Sequence, residues 1–156
     1  MEDRTLLRHL LATLAYRAAK PLRDVPEGFA GFKASDRART PVEILAHMGD
    51  LLDWALSGAR GKMTWRQLAP QPWADEVNRF FASLSAFDAY LASDEEMHVR
   101  GEKLIQGPLA DALTHVGQLS LLRGLAGAPV RGENYVRAHV EIGRVTVDQA
   151  APQLEF

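Results

Sequence analysis

Leu6, Leu7, Leu10, Leu11 and Leu14 return at spacings of three and four, and three later stretches of the chain repeat that spacing between proline- and glycine-rich breaks. This is the period of an amphipathic helix, and four such segments in one chain restrict it to helices packed on helices. The first helix is expected from about Asp3 to Ala19, with Pro21 closing it. The stretch 21–40 holds two prolines, two glycines and mixed charge without a period, and reads as a long connection across a bundle end, a place where sites are often lined. Thr40-Pro41-Val42-Glu43 is a capping box with proline at the first helical position, so a second helix starts there. Ile44, Leu45, Met48, Leu51, Leu52 and Ala55 form its apolar face, with Glu43, Asp50 and Asp53 assigned to the solvated side.

Phenylalanines and leucines from Trp73 to about Leu91 give a third helix. The charged run 93–107 reads as a turn with a short irregular piece. Pro108 is expected to open a fourth long helix that ends at Gly124, Gly127 and Pro129. Between Leu109 and Ala126 its formal charges are Asp111 and Arg123 alone, which predicts a central, nearly enclosed helix. The tail is expected to hold a short helix and an extended piece at 144–147. The fold class is therefore all-α, a four-helix bundle with long crossover connections and short extra C-terminal elements, in a single domain over 1–156.

Composition removes several functional classes. Charged residues are 24% of the 156 against 47% hydrophobic, and 18 basic residues face 20 acidic ones for a net charge of -2. That balance suggests neither disorder nor a nucleic-acid partner. Without cysteine there is no disulfide and no protein thiolate, so any metal must be held by His, Asp or Glu. The opening residues interrupt their apolar run with Arg8, His9 and Thr13, unlike a signal peptide, and no uncharged stretch reaches the roughly 18 apolar residues of a membrane span. A cytoplasmic protein with no membrane partner is the expectation. There is no Gly-rich phosphate loop, G-x-S-x-G or H-E-x-x-H, so nucleotide hydrolysis and a serine triad have no support.

One polar constellation interrupts the greasy fourth helix. Asp111, His115, Gln118 and Leu122 fall on one stripe at about 100° per residue. A carboxylate and an imidazole at i and i+4 can ligate one cation, and His47, at the edge of the apolar arc of the second helix, is the natural third ligand. Two histidines and one carboxylate leave coordination positions open, the arrangement of catalytic rather than structural metals. A bound dication would offset the desolvation cost of an otherwise unpaired, buried Asp111. Three plainer readings stand beside this one: His47 as a hydrogen-bonded core histidine, Asp111 as a stabiliser of the helix N-terminus after Pro108, and Asp111 with His115 as a buried polar pair.

Weaker candidates complete the set. Asp50, one turn after His47, is a further ligand, an outer acceptor near the site or, more in keeping with its polar side, solvated. Trp54, Trp65 and Trp73 are candidates for a cavity wall, with Trp54 placed nearest the substrate or the ligands. Arg123 is expected to hold an anion or make a salt bridge. His9 is assigned to solvent, His98 lies in the charged connection, and His139 lies in a segment to which no element is assigned.

The order of these features resembles the DinB/YfiT-like family, helical bundles regarded as metalloenzymes. The resemblance covers most of the chain: "ILAHMGDLLDW" supplies a histidine in the second helix, and "DALTHVGQLSLLRGLAG" is similar to the family's late H-x-x-x-H-R-G-Q segment. His115, Gly117 and Gln118 match that segment and His47 matches the family's first histidine. Asp111 stands where the family has the first histidine of the pair, and Val116 replaces its arginine. The resemblance implies a divalent-metal site, zinc, nickel, iron and manganese being equally compatible, with Gln118 orienting a ligand or substrate. It further implies a small-molecule substrate, a homodimer, and a thiol-dependent transferase or isomerase using a low-molecular-weight thiol. A metal-dependent hydrolase is the rival within that class. A non-catalytic bundle that binds a small molecule or a protein is the alternative of another class.

Overall fold

The leucine stripe of the first segment folds as α1 (Glu2–Leu22), followed by α2 (Pro41–Ala59), α3 (Trp73–Ala92), a single turn α4 (Gly101–Leu104) and α5 (Ala110–Leu125). The structure, a computed structural model, describes residues 2–156, and among these no strand is present. On α1 the buried face is Leu7, Leu11, Leu14, Ala15, Ala18, Ala19 and Leu22, while Leu6 is 59% exposed. The stripe is thus rotated toward the small alanines, which lets neighbouring helices approach closely. The helix also runs one residue past Pro21, because a proline in the last turn forfeits only one backbone bond.

The capping box of α2 forms on both sides: Thr40 Oγ1 accepts from the Glu43 N–H at 3.3 Å, and the Glu43 carboxylate accepts from the Thr40 N–H at 2.7 Å. Such a cap stabilises a helix start by about 1 kcal/mol. The predicted apolar face of α2 is buried throughout. Phe80, Phe81, Leu84, Phe87 and Leu91 of α3 close the core against it. The principal helix contacts are α1 with α3 and α5, and α2 with the same two. So α1 and α2 stand diagonally across a four-helix bundle, as do α3 and α5, and the segment 23–40 has to cross a bundle end.

Two expectations about the fourth helix are corrected. Pro108 does not open it: the chain is already helical from Gly101, and Pro108 lies inside a wider turn at Ile105–Leu109, where the Ala110 N–H donates to the Ile105 carbonyl, five residues back. Proline lacks an N–H and its ring clashes with the carbonyl four residues earlier, and one extra residue in the turn accommodates both. Nor is α5 nearly enclosed, since Thr114, Gly117, Gln118, Leu121 and Leu125 are exposed. Periodicity alone could not separate a buried helix from one with a second apolar face.

The tail makes no extended strand at 144–147. After a short 3₁₀ turn at Tyr135–Arg137 it returns through one isolated antiparallel bridge, Glu133 to Glu155, and is held to α1 by Tyr16 donating to Glu133 and by Lys20 between Glu133 and Glu155 at 2.9 and 3.0 Å. No helix among the described residues is long and apolar enough to cross a membrane.

Arg123 makes no salt bridge among the described residues. It is 7% exposed, and its guanidinium donates to the carbonyls of Ala128, Pro21 and Arg23 at 2.9, 3.0 and 2.8 Å and lies over the Phe29 ring. Burial lowers its pKa from the usual arginine value. The side chain therefore ties the end of α5 to the end of α1 through carbonyls that helix termini leave unsatisfied. Arg123→Met, which keeps the stem and removes the donors, is expected to lower the unfolding free energy by about 2–4 kcal/mol in urea titration. A loss within the ~0.5 kcal/mol of an ordinary surface change would contradict the clamp.

Candidate metal centre

Helix α2 crosses α5 with Ile44, Leu45 and Met48 in the core on one side and Ala112, Val116 and Leu119 on the other. Position 47 lies beside that apolar arc, and positions 111 and 115 lie one turn apart on the facing helix. The two imidazole rings consequently meet edge to face, with centroids 5.0 Å apart and planes at 87°. His47 Nε2 is 3.5 Å from Asp111 Oδ2, and His115 Nε2 is 3.3 Å from Asp111 Oδ1. One donor atom from each of the three residues lies within 4.8 Å of the others, so the cluster can hold a metal ion.

These separations fit the donor set of one ion. Atoms bound tetrahedrally at about 2.0–2.1 Å from zinc are about 3.3–3.4 Å apart. The two observed contacts, which run to different oxygens of Asp111, lie close to that span and exceed the length of a good hydrogen bond. Gln118 Oε1 lies 2.7 Å from His115 Nδ1. With the proton of the neutral ring on Nδ1 and donated to that oxygen, Nε2 is left as a lone pair facing Asp111, the arrangement that orients a ligating histidine.

The sequence-based reading of Asp111 changes in two respects. Its side chain is 45% exposed rather than buried, so no dication is needed to offset its desolvation. It also does not cap a helix start, since the chain runs helically through 101–125 and Asp111 is interior to it. The polar pair with His115 does form, but Asp111 is shared with His47.

Asp50 is not solvated. It is 2% exposed, receives Arg79 Nη2 at 2.5 Å, and accepts from the backbone N–H of Leu68 at 3.3 Å. Burial alone would lower the Arg79 pKa, and its bonds to Asp50 and Asp53 outweigh burial and raise it. Asp50 thereby pins the extended segment 62–72, which Ser57 and Glu76 also hold, through the N–H groups of Thr64 and Gln71. That segment carries Trp65 against His47, ring centroids 5.6 Å apart, with Trp54 edge-on behind it at 6.0 Å. The aromatic residue touching the cluster is therefore Trp65, and Trp54 buttresses it. Trp73 packs on Phe29 instead, and His9, His98 and His139 are exposed and outside the cluster.

The cluster stands between two hollows. One, of about 310 Å³, is bounded by His47, Trp65, Asp50 and Leu68, and the other, of about 390 Å³, by His115, Gln118 and apolar residues of α5. Arg39 borders both, a residue to which no periodicity or motif drew attention. The chain matches no family model, no curated protein and no solved structure.

Burial, and then the neighbouring His115, push the pKa of His47 below the ordinary imidazole value of 6.5, against the opposing hydrogen bond to Asp111. In metal-free protein the unfolded chain therefore takes up this proton first on acidification. The stability held at this residue is complete above about pH 6.5 and is lost as the pH falls from there through the folded-state pKa. NMR titration of the His47 ring is expected to give a midpoint below 6.5, and a midpoint above it would contradict this environment.

Proposed function

We propose that this chain is a divalent-metal-dependent enzyme of the DinB/YfiT-like type, with His47, Asp111 and His115 as the metal ligands, and that it acts as a thiol-dependent transferase or isomerase. The observation that supports this most is the convergence of two imidazole nitrogens and one carboxylate from two helices at ligand-like separations. An ion there supplies the Lewis acidity that makes an external thiol or a water nucleophilic near neutral pH. Gln118 fixes the tautomer of His115, while Trp65 and Trp54 shield His47 from water on one side. Three protein ligands leave room for substrate, and the absence of cysteine makes any thiol a co-substrate. The resemblance also carries the homodimer, the crossover pattern and the cytoplasmic location as parts of this proposal.

A second reading has its own observation. Leu121 and Leu125 are 64% and 57% exposed on the face of α5 that also carries Gln118, which favours a bundle that binds an apolar molecule without transforming it. Elemental analysis of untagged protein prepared without chelators separates the two. Near-stoichiometric metal is expected, lost in His47→Ala and in Asp111→Ala with the helical fold retained by circular dichroism. Gln118→Ala is expected to weaken metal affinity by about 10- to 100-fold. Absence of metal after reloading with zinc, nickel, iron or manganese would leave a hydrogen-bonded polar cluster and the binding module.

A further inference from the structure

The hollow beside His115 has a composition that its neighbour lacks. Its walls are Ala34, Ala38, Ile44, Leu121, Leu122 and Leu125, contributed by the crossover segment, the start of α2 and the second half of α5. At about 390 Å³ it falls at the small end of the roughly 300–1,000 Å³ typical of ligand sites. Three polar side chains interrupt the apolar lining: His115 of the cluster, Gln118 bonded to it, and Arg39, which also borders the hollow beside His47.

Arg39 is exposed and, like Arg37, Arg66 and Arg137, makes no ion pair and no side-chain hydrogen bond among the described residues, but of these four it alone borders this hollow. Its nearest acidic neighbour along α2, Glu43, is occupied by the capping box. Gln118 spends its oxygen on His115, and its amide N–H₂ has no acceptor among the described residues. An exposed guanidinium and a free amide donor thus border an apolar hollow, with no carboxylate in the lining to answer them. One guanidinium and one amide, without a glycine-rich run of backbone N–H groups, suit a singly charged planar anion better than a phosphate.

We propose that this hollow is a binding site for a small amphipathic carboxylate, with its apolar body against Leu121, Leu122 and Leu125 and its carboxylate held by Arg39 and Gln118 beside His115. Binding is a property of the hollow itself, and only the identification of the ligand as the substrate rests on the metal reading. The arrangement names a substrate class for that reading: an organic monoanion whose polar end lies next to the metal ligands.

Sodium octanoate, 1-octanol and octylammonium chloride are matched probes that differ in head group. Titrated into the intact protein and followed by methyl NMR of Leu121, Leu122 and Leu125, octanoate is expected to bind at least tenfold more tightly than the other two. Arg39→Gln is expected to remove most of that preference while leaving octanol binding and metal content unchanged. Leu125→Glu, at an exposed position where folding is not at stake, is expected to weaken octanoate and octanol together. Equal binding of octanoate and octanol, or a preference that survives Arg39→Gln and is lost in His47→Ala, would overturn the assignment, the second by placing the carboxylate on the metal centre. Wild-type protein that holds no metal but still follows the Arg39 pattern would leave this site standing and defeat the metal reading alone.

Discussion

The arrangement of the site depends on the contact between α2 and α5. Ile44, Leu45 and Met48 on one helix and Ala112, Val116 and Leu119 on the other are all buried, and close packing of those side chains leaves the relative rotation of the helices little freedom. Once that rotation is set, positions 47, 111 and 115 have to face one another at the edge of the core. The hydrophobic effect thus brings together three polar side chains that have no strong attraction of their own in water. Further clamps keep the frame in place without touching the cluster: Arg123 ties α5 to α1, and Asp50 with Arg79 ties the strap 62–72 over His47.

The turn at Ile105–Leu109 belongs to the same logic. An α-helix interrupted by Pro108 would bend or end, and α5 would then begin with free N–H groups at Asp111. The wider turn keeps the backbone continuous and leaves the Asp111 carboxylate with the two imidazoles rather than with a helix terminus. Wider turns of this kind occur often at functional sites, because they shift the register of the side chains that follow.

Much of this was legible in the sequence. The helical period locates all four long helices, the capping box fixes the start of α2, and the i, i+4 and i+7 stripe of Asp111, His115 and Gln118 is visible in the sequence alone. What escaped depends on the partner across the core. Asp50 looked solvated because its own helix offers no cation, and it is buried because Arg79 comes from α3. Trp65 sits in an aperiodic, exposed segment whose path over His47 is set by three side-chain contacts to its backbone, a tertiary fact with no local signal. Arg39 is one arginine among many in the sequence and is distinguished only by the fold, which places it at the border of both hollows. The exposed face of α5 was read as core because apolar residues on both faces of a helix give the same periodicity whether or not the second face is covered.

The central claim is that His47, Asp111 and His115 face one ion. A crystal grown with zinc or cobalt and measured across the absorption edge of that metal tests it most directly. The account predicts one anomalous peak within about 2.0–2.2 Å of Nε2 of both histidines and of an Asp111 oxygen. A peak elsewhere, or none with Asp111 hydrogen-bonded between the two rings, would contradict it.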